Sequence, residues 1–269
     1  MNTLLCAFDF SKQSENALIT SDAISKVLNL QLNVVYFIST ESYGLATPEI
    51  EKQEKQNRIE NFLKEKNINA KIHIKIQTKP IPLEILELAQ SLNSKLIAIG
   101  RSSYDIGDVN FIGSNAISLK SISEIPILFG VITPRTSFKN ILLPVNEKPS
   151  SLEPMLFAID FAKNTDAKIH IVNVFESSIS VPIEAIRLQE EKINQAIKLY
   201  ENLLKDVEYS LNIVVSKDAS SGILEYANNK EIDLIIMGRR KSLNWIERLF
   251  YSSTTSRVLR STIVPFIAY

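Results

Sequence analysis

The chain of 269 residues is long for one hydrophobic core and fits two domains of ordinary size. Hydrophobic residues at 45% and charged ones at 22% make a globular balance and exclude a largely disordered chain. The 30 Lys and Arg against 30 Asp and Glu leave no net field, so composition implies neither nucleic acid nor an anionic membrane as a partner.

Behind Met1-Asn2-Thr3 there is no basic region followed by a long apolar core, and no apolar run approaches the ~18 residues of a membrane span, so a cytoplasmic protein is expected. Leu4-Leu5-Cys6-Ala7-Phe8 reads as a first strand over 3–8, with the single cysteine, Cys6, as a buried thiol inside it. Ser14 to Leu28 reads as a helix, because Ala17, Leu18, Ile24, Val27 and Leu28 recur at three- and four-residue spacing. Further strands are expected at 32–38, 71–77, 95–99 and 126–131, and the charged stretch from Pro48 to Lys66 reads as an amphipathic surface helix. Within the strand at 95–99 the run from Leu96 to Ile99 is apolar throughout, as in a central strand covered on both faces. Alternating strands and helices of this kind predict βαβ units and a parallel sheet.

The short linker Thr133-Pro134-Arg135-Thr136-Ser137 then separates a domain over 1–135 from one over 136–269, and the pattern begins again. Leu4 to Asp9 aligns with Ile141 to Asn146, Leu96 to Gly100 with Leu234 to Gly238, and Ile125 to Leu128 with Val264 to Ile267; the offset drifts only from 137 to 139 residues. In the second copy a helix is expected from Ser150, with Glu153 as a capping-box partner, and another amphipathic helix from Glu184 to Leu204. Pro126 and Pro265 lie at the starts of the last strands, which places those strands at sheet edges.

In open α/β sheets ligands bind beyond the carboxyl ends of the strands, where strand order reverses. The loop after the fourth strand runs from Gly100 to Asn115 and holds three of the seven glycines. A glycine at a strand end admits a ligand to the backbone, and Gly113-Ser114-Asn115 at a helix start offers N–H groups, a hydroxyl and the positive end of the helix dipole to a phosphate. The same glycines also suit an ordinary turn and cap.

Gly, two residues, Gly, nine residues, Gly, then Ser or Thr, after an apolar strand, resembles the nucleotide loop of universal stress proteins, and the resemblance covers the whole chain as two tandem copies. It implies two open-sheet α/β domains, each a mostly parallel five-stranded sheet with helices on both faces, packed as an internal pseudo-dimer, with a homodimer not forbidden. Gly100, Ser103, Gly113 and Ser114 fall on the motif, with Ser103 replacing the second glycine. Asp9 matches the acidic residue that lies by the ribose and phosphates in ATP-binding members. Phe37 matches the position whose backbone contacts the base, and Ile99 flanks it. The implied ligand is ATP or a related adenine nucleotide, with Mg²⁺ held through it. In the second copy Gly238 and Ser252 remain, but Lys241 and Tyr251 replace glycines and Asn146 replaces the acid, so that site is expected to be degenerate. Arg239-Arg240-Lys241 reads as a solvated loop or as an anion site of another shape.

Neither Gly-x-x-x-x-Gly-Lys-Ser/Thr nor Gly-x-Gly-x-x-Gly occurs at a first strand, and Gly-x-Ser-x-Gly is missing. His73 and His170 have no Cys or His at ligand spacing and are read as structural. Asp9 could equally cap the following helix. The functional expectation is therefore a stress-response nucleotide-binding protein with at most slow ATP hydrolysis. The alternative is an interaction or scaffold protein of the same fold that has lost the nucleotide, for which Ser103 is the motive.

Overall fold

The computed structural model describes residues 2–39, 48–102, 112–238 and 254–269, and it divides into two compact units, Met1–Thr136 and Ser137–Tyr269. The first unit contains β1 (Thr3–Ala7), α1 (Lys12–Val27), β2 (Gln31–Ile38), α2 (Pro48–Glu65), β3 (Lys71–Ile76), α3 (Ile81–Ser91), β4 (Ser94–Gly100), α4 (Ser114–Ile122) and β5 (Ile127–Gly130). Its strands lie in the order β3-β2-β1-β4-β5, and every pairing is parallel. The connections β1 to β2 to β3 step one way along the sheet, and β3 to β4 to β5 step the other. Right-handed crossovers therefore put α1 and α2 on one face and α3 and α4 on the opposite one.

Burial from both sides explains the unbroken apolar runs of β1 and β4, where Leu4, Leu5, Leu96 and Ile97 are fully buried. α1 starts at Lys12 because the Ser11 hydroxyl accepts from the Ser14 N–H, capping the helix ahead of the expected Ser14. Its buried Asn16 donates to Val131 O at 2.8 Å and Ile132 O at 2.7 Å, which satisfies the amide and ties the helix to the end of β5. Asn29, Asn67 and Asn93 follow α1, α2 and α3 with φ of 49–53°, the left-handed region that asparagine tolerates at helix ends.

The second unit repeats the plan with β6 (Asn140–Pro144), α5 (Pro149–Leu152), α6 (Met155–Thr165), β7 (Lys168–Glu176), α7 (Ile183–Ile197), a 3₁₀ turn (Lys198–Tyr200), α8 (Glu201–Leu204), β8 (Tyr209–Ser216), α9 (Ala219–Asn229), β9 (Leu234–Met237), α10 (Thr254–Ser261) and β10 (Phe266–Ala268). Its order is β8-β7-β6-β9-β10, again parallel. Each unit is thus an open α/β sheet with helices packed on it.

The helix expected from Ser150 starts at Pro149, behind Lys148, and stops at Leu152. Pro154 has no N–H and its ring crowds the preceding turn, so the helix breaks into α5 and α6, and Glu153 lies at the break instead of inside a first turn. His73 Nε2 meets Asn33 Oδ1 at 2.9 Å, while His170 bonds Tyr226 Oη and Asn140 Oδ1 at 2.9 and 3.0 Å. Among the described residues no helix is long and apolar enough to cross a membrane.

Candidate functional site

In the first unit the order of strands reverses between β1 and β4, so the crevice for a ligand lies past their carboxyl ends. Asp9 stands on the β1 side. Its Oδ1 accepts from the Ser11 N–H at 3.0 Å and the Ser11 hydroxyl at 2.6 Å, and its own N–H donates to Ser14 Oγ at 3.3 Å. The helix cap belongs to Ser11, while Asp9 holds the turn before it and keeps an exposed carboxylate. Between them Phe10 has φ 63°, a conformation that costs a bulky residue about 1–3 kcal/mol. Aromatic packing holds it there: Phe10 lies 4.9 Å from Phe8 and 5.4 Å from Tyr36, and the Arg58 guanidinium sits 3.9 Å above its ring. This aromatic turn was not legible in the motif; the only signal for it is an aromatic residue between Asp9 and the capping Ser11.

β2 contributes Phe37. Phe8 N donates to Val35 O at 2.9 Å, so the alternation of the ladder aims the backbone groups of Phe37 the same way, past the end of β1 toward Asp9. Ile99 is buried in β4 opposite Phe129 of β5.

The glycines of the loop differ in what they serve. A Cβ on Gly100 would stand 2.9 Å from Ser14 N and 3.1 Å from Gln13 C. One on Gly130, its partner across β4 and β5, would run into Gln13 O and Ala17. The two glycines therefore seat the first turn of α1 on the sheet. Around them Arg101 N donates to Gly130 O at 2.9 Å, Ser102 N to Gln13 Oε1 at 2.9 Å, and Gly113 N to Arg101 O at 2.8 Å, which fixes both ends of the loop. Arg101 is fully buried; burial pushes its pKa down, yet a guanidinium keeps its charge at neutral pH and leaves a fixed positive charge at the loop's base.

Gly113 has no such reason to be glycine. It precedes α4 with φ −63° and ψ 150°, which any residue adopts, and among the described residues a Cβ would meet Arg101 O at 3.5 Å and Ser102 Cα at 3.6 Å, ordinary contacts. Among the described residues no side chain caps α4, so the first amides of the helix, those of Ser114, Asn115 and Ala116, are left for another acceptor. Ser114 and Asn115 are exposed. Ser103 lies outside the described residues, as do Lys241, Tyr251, Ser252 and the run from Arg239 to Lys241. Among the described residues no three His, Cys, Asp or Glu side chains gather as a metal site.

The second unit supplies an internal control. Asn146 Oδ1 accepts from Lys148 N at 2.8 Å and Asn146 N donates to Ser151 Oγ at 2.9 Å, the same two bonds that Asp9 makes with Ser11 and Ser14. An amide thus makes these two bonds of the turn, and what Asp9 adds is charge and a third bond, from the Ser11 hydroxyl. At the place of Gly130 stands Tyr269, whose N donates to Met237 O at 2.9 Å and whose ring lies 5.8 Å from Phe157.

Comparison with known proteins agrees with the doubling. The model of the universal stress protein family matches residues 1–129 and again 137–269. A universal stress protein of Methanocaldococcus jannaschii is 25% identical over 138 residues, covering 48% of this chain and 81% of its own. The crystal structure of a universal stress protein from Archaeoglobus fulgidus is similar at TM-score 0.70 and 18% identity, covering 99% of this chain and 95% of that one. A second universal stress protein structure from Archaeoglobus fulgidus, a complex with dAMP, matches 48% of this chain and 97% of its own at 19% identity and TM-score 0.38.

Proposed function

The chain belongs to the universal stress protein family, and on that premise we propose that its first copy is a cytoplasmic binding module for an adenine nucleotide, with ATP as the ligand and the second copy in a mainly structural role. The observation that carries the reading is Gly113, a glycine that neither its backbone conformation nor its packing against the described residues requires, placed before a helix start that no described side chain caps. The phosphates would lie against the amides of Ser114 and Asn115 with the Ser114 hydroxyl, and a bulky neighbour would exclude them. The outward backbone of Phe37 suits the edge of a base, with Ile99 beneath. Asp9, on the opposite wall, suits the ribose and a Mg²⁺ held mainly by the phosphates, which would offset their charge. Asp9 already accepts two hydrogen bonds from Ser11 in holding its own turn, so the reading is of binding with at most slow hydrolysis.

The asymmetry of the copies supports one nucleotide per chain: Asn146 lacks the charge of Asp9, and Lys241 and Tyr251 replace motif glycines. The duplication also supports an internal pseudo-dimer, to which further association as a homodimer is not forbidden. A second reading, a scaffold of the same fold without nucleotide, is favoured by Ser103 alone. Thermal unfolding with ATP and Mg²⁺ separates the two, since ligand at 100 times its Kd stabilises by about 2.7 kcal/mol. No stabilisation at millimolar nucleotide would favour the scaffold.

A further inference from the structure

Among the described residues β3 is the outermost strand of the first unit's sheet on its side and pairs with β2 alone. Gln77 N donates to Ile38 O at 2.8 Å, so alternation along the ladder turns the backbone of His73 and Lys75 inward and that of Ile72, Ile74 and Ile76 out to the open edge. A groove of about 530 Å³ runs along this edge, lined by Lys52 of α2, by Ile74, Lys75 and Ile76, and by Leu88 and Ser91 of α3. Successive side chains alternate, so Lys71, His73 and Lys75 share one face of β3 and the three isoleucines the other.

The lining carries Lys52, Lys75 and Lys79 against Glu84 and Glu87, an excess of one positive charge, and Lys71 lies next along β3. Glu84 Oε1 accepts from Thr78 N at 2.6 Å, Lys79 N at 2.8 Å and the Thr78 hydroxyl at 2.9 Å, and Glu87 pairs with Lys79 at 2.7 Å. Among the described residues Lys52, Lys71 and Lys75 have no ion-pair partner. A basic rim is not demanded by the fold, because β8, the corresponding outer strand of the second unit, has no charged residue. Lysines on an edge repel the same edge of a second copy. Opposite charge is their complement.

We propose that this edge docks an extended acidic segment of a partner protein, which adds a strand beside β3 with carboxylates toward Lys52 and Lys75 and alternate apolar side chains toward Ile74, Ile76 and Leu88. The inference is independent of the nucleotide reading.

The test adds an eight-residue peptide of alternating Val and Glu to the full chain, with alternating Val and Lys as the charge-reversed control. Hydrogen exchange at the Ile74 and Ile76 amides should slow by at least about tenfold with the acidic peptide and stay unchanged with the basic one. The exposed-rim double variant Lys52→Glu/Lys75→Glu should weaken acidic-peptide binding at least about tenfold and reverse the preference. Equal binding of both peptides, no protection at Ile74 and Ile76, or protection that grows with protein concentration in the absence of peptide would overturn the proposal. The first would mean non-specific association, the second no strand addition, the third self-pairing.

Discussion

Gly113→Lys and Gly100→Ala, made at the two ends of one loop, separate a glycine kept for a ligand from a glycine kept for packing. At 113 the backbone is unstrained and the nearest atoms lie 3.5 and 3.6 Å from a Cβ, so the fold loses only a favourable N-cap residue, about 0.5–1 kcal/mol. At 100 the Cβ would stand 2.9 Å from Ser14 N, a backbone atom, so α1 must back away from β4; overpacking of this kind costs about 1–3 kcal/mol. If the first unit of about 136 residues melts by itself, an unfolding entropy near 2.1 cal/mol/K per residue converts these to drops of ~2–4 °C and ~4–10 °C. Nucleotide at 100 times its Kd, worth about 2.7 kcal/mol, should raise the wild-type Tm by ~9 °C. In differential scanning fluorimetry with and without ATP and Mg²⁺, Gly113→Lys should start near wild type and gain nothing, whereas Gly100→Ala should start clearly lower. A full nucleotide shift in Gly113→Lys would place the ligand elsewhere. An unchanged Tm in Gly100→Ala would refute the packing argument.

Asp9→Asn should change stability by less than about 1 kcal/mol in urea unfolding, because Asn146 makes the matching bonds with an amide, while weakening the binding of ATP with Mg²⁺ in calorimetry; a loss above about 2 kcal/mol would show that the turn needs the charge. Burial first, then Lys168 and Lys230, hold the His170 pKa below the ordinary imidazole value. The unfolded chain then binds the extra proton, so this contribution is fully present above about pH 6.5 and is lost as pH falls through the folded value. Urea unfolding at pH 7.5 and 5.5 should show a loss that is smaller in His170→Gln, and equal losses would contradict the assignment. The Asp218 carboxyl, held far below the usual range by the Ser220 and Ser221 hydroxyls and then the Ser221 N–H, contributes stability above its unfolded pKa of about 3.9 that disappears as pH falls through the folded value. Asp218→Ala should therefore lower Tm at pH 7, with the gap closing in acid; a gap independent of pH would contradict it.

The duplication and the strands were legible because a parallel sheet buried on both faces writes itself as short apolar runs, and Leu4 to Phe8 and Leu96 to Ile99 are such runs. Helix boundaries were less so. Ser11 caps α1 through a turn that depends on Asp9, and Pro154, which lacks an N–H, splits the helix expected from Ser150 into α5 and α6. At the site, the spacing of Gly100 and Gly113 was visible but their different jobs were not, because only the position of α1 shows which Cβ has no room. The strained Phe10 and the Arg58 above it join residues 48 positions apart in sequence, a contact that no local pattern encodes.

The central claim is one nucleotide per chain, held by the first copy. Native mass spectrometry of the chain with saturating ATP and Mg²⁺ tests it most directly. One bound nucleotide, lost in Gly113→Lys, is the predicted result; two per chain, or one that survives Gly113→Lys, would contradict it.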